Sequence, residues 1–194
     1  MTIPLQLIVF SVPSLIYVAV HRWRGEKWSE AFGNVGWITC RLIYFLWGLG
    51  LAIFTGGLAW LAFRFIPSDV LESPNINISA YAGWTLSVTS FLLAWLHEAI
   101  YVALGEEVFF RGLLGGWLIR RFGFAVGNTV QALIFVLPHL LLLLLVGLCM
   151  WPIVLVQLVA GWLLGWLRYH SDSILPGWLA HSLINALGAL GAMA

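Results

Sequence analysis

Three charged side chains interrupt an apolar region of the chain: Glu106, Glu107 and Arg111, in the stretch "GEEVFFRG". An ionisable group within a membrane span is expected to face a protein interior or a hydrated cavity, and it is a functional candidate by default. Glu107 precedes Arg111 by four residues, the order that favours a helical ion pair, so this pair is predicted to position the helix. Glu106 is rotated by about 100° from Glu107. It is therefore free to act as a general base or acid.

The stretch "FVLPH" supplies a histidine, His139, that alone would be read as a satisfied core residue. Its depth favours a site instead. Gly123 is the predicted turn of a helical hairpin, and Glu106 and His139 lie at about equal distances from it, roughly 22 Å along their helices. Pro138 is expected to kink the helix so that the imidazole of His139 faces inward.

The stretch "HSLIN" places His181 and Asn185 four residues apart, on one helix face. Interhelical hydrogen bonding would explain such a pair without any chemistry. Because Glu106 and His139 also lack assigned partners, a site shared by all four residues is favoured. A carboxylate, two imidazoles and a carboxamide indicate activation of water. The chain has no GxSxG motif, no GxxxxGK[ST] phosphate loop and no pair of intramembrane aspartates.

The stretch "HEAIY" is superficially like the zinc-binding motif HExxH, but Tyr101 occupies the position of the second ligand. His97 and Glu98 are therefore predicted to have a structural or gating role.

Composition predicts the elements that carry these residues. Hydrophobic residues make up 62% of the 194 residues and charged residues 9%, and the mean hydropathy is +0.98. These values favour an all-α, polytopic bundle of about six transmembrane helices, solvated by membrane lipid, with a polar catalytic cavity inside it. The net charge of +1 gives no indication of nucleic-acid binding. We interpret residues 1–194 as one integral membrane domain, with N-terminal spans and a polar loop in 1–80 and a catalytic helix core in 84–194.

Six apolar segments are predicted to span the membrane. They are Ile3–Val20, a segment within Gly36–Ile66, Trp84–Arg121, Phe124–Val146, Pro152–Arg168 and Ile174–Met193. As one straight helix, the third would be about 57 Å long, so a bend near Gly105, a projection beyond the lipid or two shorter helices are the alternatives. Because Lys and Arg accumulate on the cytoplasmic side, we expect both termini outside and Arg120–Arg121 in the cytoplasm.

The three motifs resemble those of a known family. "EEVFFR" fits EExxxR, "FVLPH" fits FxxxH and "HSLIN" fits HxxxN, in the order found in the CPBP family of CAAX prenyl endopeptidases and bacteriocin-processing or self-immunity proteins. The resemblance covers about Gly105 to Asn185.

The resemblance implies a role for each motif residue. Glu106 would activate water with the assistance of His139, His181 and Asn185 would stabilise the oxyanion, and Glu107 and Arg111 would orient the helix. It leaves open whether zinc takes part. We expect no cofactor; a bound zinc would be held by Glu106, His139 and His181.

The function predicted on this basis is an intramembrane endopeptidase of a bacterial inner membrane. Its substrate would be a membrane-associated protein or peptide, cleaved at a prenylated C-terminus, a leader peptide or a C-terminal sorting tail. The alternatives are a non-catalytic membrane scaffold or immunity protein and, less favoured because no internal repeat is present, a small proton-coupled transporter.

Overall fold

A computed structural model describes residues 5–71 and 73–193, and within these ranges the regular structure is entirely helical. This confirms the predicted all-α fold. The helices are α1 Leu5–Trp23, α2 Trp28–Asn34, α3 Leu42–Phe63, α4 Ser68–Leu71, α5 Val88–Phe122, α6 Phe124–Leu145, α7 Trp151–Ser171 and α8 Leu175–Leu190. Two short 3₁₀ segments, Asn77–Tyr81 and Leu148–Met150, lie in the connections.

Among the described residues, five helices are long and apolar enough to cross a membrane: α1, α3, α5, α6 and α7, the last with its preceding 3₁₀ turn. The predicted sixth span, Ile174–Met193, is a helix of only 16 residues, α8. At 1.5 Å per residue it is about 24 Å long, less than the hydrocarbon core of about 30 Å. Its length is limited by Pro176 in the first turn and by a turn after Leu190. Of the six predicted spans, five therefore have the length of a full crossing, and the sixth is a shorter helix.

The third predicted span is one continuous helix, α5, with no break at Gly105. Ser87 caps its N-terminus by accepting a hydrogen bond from the backbone N–H of Ser90 at 3.1 Å, and Gly123, with φ +78°, ends it. Two stretches within it, Glu98–Ala103 and Glu107–Gly115, have the wider turns of a π-helix. Such turns are rare and frequently occur at functional sites. All three glutamates of the helix lie in or directly next to these stretches.

Neighbouring helices donate hydrogen bonds to carbonyl groups of these wide turns. The hydroxyl of Ser14 on α1 donates to the carbonyl of Val108 at 3.1 Å, and the indole of Trp178 on α8 donates to the carbonyl of Ala99 at 2.7 Å. A carbonyl with such a side-chain partner need not close a regular α-helical bond. The π-turns are thus tied to the two helices that lie on either side of α5.

Close backbone contact around α5 depends on glycine. A Cβ atom at Gly112 would lie 2.6 Å from the carbonyl oxygen of Val35, and one at Gly105 would lie 3.1 Å from the Cα atom of Leu7. Small residues allow membrane helices to approach in this way. The helix that carries the charged motif is therefore packed firmly against α1 and the turn after α2.

The two ends of the bundle differ. At one end, Arg120 donates to the carbonyl of Asn34 at 3.2 Å, and the N–H of Ile174 donates to the carbonyl of Gly36 at 2.9 Å. This end therefore collects the basic C-terminal turns of α1, α5 and α7. The other end holds the polar connection between α3 and α5, packed through the hydrophobic cluster Ala62, Ile66, Ile76, Met150 and Ile153.

Candidate active site

A cavity of about 430 Å³ lies inside the bundle, toward the end that holds the polar connection. Its walls include Glu106 on α5, His139 on α6, and His181 and Asn185 on α8. The structure therefore brings together the four residues that the sequence predicted to share a site. Their catalytic roles remain predictions.

Glu106 is almost buried, with 6% of its surface exposed. Its Oε1 accepts a hydrogen bond from the side-chain amide of Gln6 on α1, and its Oε2 lies 3.6 Å from Nε2 of His181. Gln6 is not among the site residues predicted from the sequence, although a polar residue in an otherwise apolar span was a signal for it. Glu106 thus has one neutral donor, one nearby imidazole and access to the cavity.

Glu107 and Arg111 form the predicted ion pair, with Nη1 of Arg111 2.9 Å from Oε1 of Glu107 and both side chains fully buried. The guanidinium of Arg111 also lies 4.0 Å from the ring centre of Phe135 on α6, at cation–π distance. A buried carboxylate without a partner would be costly, so this pair makes the buried charge of Glu107 tolerable.

His181 lies between the two adjacent carboxylates. Its Nδ1 is 2.9 Å from Oε1 of Glu107, and its Nε2 faces Glu106. Because an ionised carboxylate only accepts hydrogen bonds, Nδ1 carries a proton. Glu107 therefore fixes the orientation of the ring in addition to pairing with Arg111. The spacing of the motif predicted the pair with Arg111 but not the contact with His181.

His139 is oriented by its own helix. Its Nδ1 lies 3.1 Å from the carbonyl oxygen of Phe135, and since a carbonyl only accepts, Nδ1 is the protonated nitrogen. Nε2 then carries the lone pair and can accept a proton. The imidazole paired with Glu106 is that of His181 rather than His139.

α6 continues through Pro138 to Leu145, so the proline, which also lines the cavity, does not end the helix.

Asn185 connects the cavity to Glu98. The amide nitrogen of Asn185 donates to Oε2 of Glu98 at 3.0 Å. Oε1 of Glu98 accepts from the amide of Asn77 at 2.9 Å and from the hydroxyl of Tyr81 at 2.6 Å. Burial raises the pKa of Tyr81, and the hydrogen bond and charge of Glu98 raise it further, so Tyr81 stays a donor. Glu98, predicted to be structural or gating, contacts a predicted site residue directly.

Comparison with known families identifies the family of this chain. Residues 87–187 match the model of the family described as type II CAAX prenyl endopeptidase Rce1-like. The chain belongs to this Rce1-like family. The match covers slightly more than half of the chain and includes all three motifs. No curated protein and no solved structure shows significant similarity to it.

Membership of the Rce1-like family supports three statements about the chain. It is an integral membrane protein, it is a protease at the level of the family, and its substrates are membrane-associated proteins or peptides. The resemblance to CAAX-type proteases that the three motifs indicated is confirmed.

The zinc ligands considered for this Rce1-like protein were Glu106, His139 and His181, which are suitable in kind. Within residues 5–71 and 73–193, no three His, Cys, Asp or Glu side chains are grouped closely enough to bind one ion. In this arrangement Glu106, His139 and His181 are not grouped closely enough to share one zinc ion.

Proposed function

We propose that this protein is an intramembrane endopeptidase that hydrolyses a peptide bond of a membrane-associated protein or peptide of CAAX type, in a bacterial inner membrane. The observation that carries the proposal is the convergence of Glu106, His139, His181 and Asn185 on one cavity from three helices. The bacterial location rests only on the resemblance to bacteriocin-processing members of the CPBP family.

In the proposed reaction, Glu106 and His139 activate a water molecule in the cavity. Glu106 accepts the proton of the attacking water, and Nε2 of His139, whose other nitrogen faces the carbonyl of Phe135, accepts a hydrogen bond from the same water. The proton then passes from Glu106 to the leaving amine. A positioned general base of this kind contributes about 10²- to 10⁴-fold to the rate.

His181 and Asn185 would donate hydrogen bonds to the oxyanion of the tetrahedral intermediate. Asn185 has a second amide hydrogen besides the one given to Glu98. His181 donates from Nε2 when both ring nitrogens are protonated, with Nδ1 held by Glu107. Loss of one donor from an oxyanion hole typically lowers kcat by about 10²- to 10³-fold.

The remaining walls of the cavity are suited to an apolar substrate. Carbon-rich side chains line it on several sides: Phe10, Phe63, Val102, Phe110, Leu142, Met150, Ile153, Val156 and Ile184. Such walls suit a lipid-modified or strongly apolar peptide segment.

The test is cleavage of a farnesylated peptide that ends in a CAAX sequence, with purified protein in liposomes. We expect the wild type to cleave it and Glu106→Gln to lose at least about 10²-fold in kcat, because the amide cannot accept the proton of water. Asp69→Asn, which removes an exposed carboxylate outside the cavity, is the matched control and should retain activity. Equal cleavage by wild type and Glu106→Gln would overturn the mechanism and with it the proposed function. No cleavage by the wild type would also overturn the proposed function, which includes a CAAX-type substrate.

The absence of a metal from the proposed mechanism has its own test. Wild type dialysed against a zinc chelator should retain its activity, and the purified protein should contain no stoichiometric zinc by elemental analysis. Loss of cleavage on chelation, with recovery on addition of zinc, would contradict the metal-free mechanism.

A further inference from the structure

Glu98 is a fully buried carboxylate outside the three sequence motifs, and both of its oxygens are engaged. The donors come from two parts of the chain. Asn77 and Tyr81, in the connection between α3 and α5, donate to Oε1, and Asn185 on α8 donates to Oε2. These three donors are neutral, and Nδ1 of His97 lies 3.8 Å from Oε1, beyond hydrogen-bond distance. The carboxylate of Glu98 is therefore held by hydrogen bonds from neutral groups.

A carboxylate at this position determines which way the amide of Asn185 is turned. Since the ionised group only accepts, it must face the nitrogen of the amide and not the oxygen. The nitrogen carries two hydrogens, and Glu98 takes one of them, at 3.0 Å. The other remains available on the side of the cavity that Asn185 lines.

The connection between α3 and α5 in turn holds Glu98. Tyr81 is 3% exposed and donates to Glu98, and its oxygen lies 3.0 Å from Nδ1 of His97, which can donate to it. Asn77 donates to the same carboxylate oxygen and also lines the cavity. A buried hydrogen-bond network whose members are all engaged is rigid, and it costs most when one member is removed.

We propose that Glu98 is a positioning residue that turns the amide of Asn185 toward the oxyanion, and that Tyr81 and Asn77 hold Glu98 in place. This inference rests on the proposed function. It adds a carboxylate outside the recognised motifs, and two residues outside the family match, to the machinery of peptide-bond hydrolysis. Glu98 itself does not touch the reacting atoms; it acts through Asn185.

The test is a double-mutant cycle with the farnesylated CAAX peptide, with kcat and KM measured separately. Asn185→Ala should lower kcat by about 10²-fold. Glu98→Gln should lower kcat by about tenfold and leave KM within about twofold, because the oxyanion exists only in the transition state. In the Asn185→Ala background, Glu98→Gln should have less than about a twofold further effect, since residues that act through one another are not additive.

A purely structural role for Glu98 would give a different pattern. Its substitution would then lower kcat by the same factor in both backgrounds, and this result would overturn the inference. Asp69→Asn serves as the charge-matched control. If Glu98→Gln does not fold, Tyr81→Phe provides the same cycle, because it removes one donor from Glu98 and keeps the ring; its effect on kcat should also disappear in the Asn185→Ala background.

The outcomes separate this inference from the proposed function. Suppose that Glu106→Gln abolishes cleavage while the factors by which Glu98→Gln and Asn185→Ala lower kcat multiply in the double variant. In that case only the positioning role fails. If the wild type does not cleave the peptide, or Glu106→Gln cleaves as well as the wild type, the proposed function fails and the positioning role fails with it.

Discussion

Two buried carboxylates on α5, Glu107 and Glu98, lie on either side of Glu106 in the sequence and are stabilised in different ways. Glu107 is paired with the cation of Arg111 and also accepts a hydrogen bond from Nδ1 of His181. Glu98 has three neutral donors. Glu106, between them, has Gln6 and a more distant imidazole, and it reaches the cavity. The difference supports the proposal that the two acids with more partners orient the donors His181 and Asn185, and that Glu106, with fewer partners, activates water.

The largest expected effect distinguishes a reacting group from an orienting one. His139→Ala should lower kcat by about 10²- to 10⁴-fold, because it removes the acceptor Nε2 from the water. Its side chain is partly exposed toward the cavity, so the melting temperature in detergent should change little. Measurement of kcat and melting temperature on the same preparation checks both parts. A large loss of stability with kcat nearly unchanged would place His139 with the orienting residues.

The next effect concerns the charge that balances Glu107. Arg111→Met should destabilise the protein by about 3–5 kcal/mol, because it leaves a buried carboxylate without its cation. The double variant Arg111→Met with Glu107→Gln removes both charges and should recover most of that stability. Chemical unfolding of the two variants in detergent measures the difference. An equal loss in both variants would show that packing, rather than charge, makes Arg111 necessary.

The sequence was sufficient for the features that depend on local spacing. Hydropathy predicted the helical class and most helix positions, and the four-residue interval between Glu107 and Arg111 predicted their ion pair. It did not predict the individual hydrogen bonds between residues far apart in the chain. Gln6 is 100 residues from Glu106, and Asn185 is 87 residues from Glu98, so no local pattern joins them. The π-turns of α5 were also not predicted, because they depend on donors such as Ser14 and Trp178 from neighbouring helices.

A smaller effect tests whether neutral hydrogen-bond donors alone stabilise the carboxylate of Glu98. Glu98→Gln offers one carbonyl oxygen to three donors, so at least one of Asn77, Tyr81 and Asn185 loses its acceptor. The expected loss of stability is about 1–3 kcal/mol, less than for Arg111→Met, because no bare charge remains. Unfolding under the same conditions gives the comparison. A loss as large as that of Arg111→Met would mean that Glu98 balances a cation, contrary to its observed partners.

The smallest expected effect separates the two functions of Phe135. Its ring lies against the guanidinium of Arg111, and its backbone carbonyl holds Nδ1 of His139. Phe135→Leu removes the aromatic face and keeps the carbonyl, so it should cost about 0.5–2 kcal/mol of stability and leave the tautomer of His139, and therefore kcat, nearly unchanged. Unfolding and peptide cleavage measure the two quantities. If kcat falls as far as it does in His139→Ala, the ring of Phe135, and not its carbonyl, sets the position of the imidazole. Phe135 would then belong with the residues that orient the reacting groups.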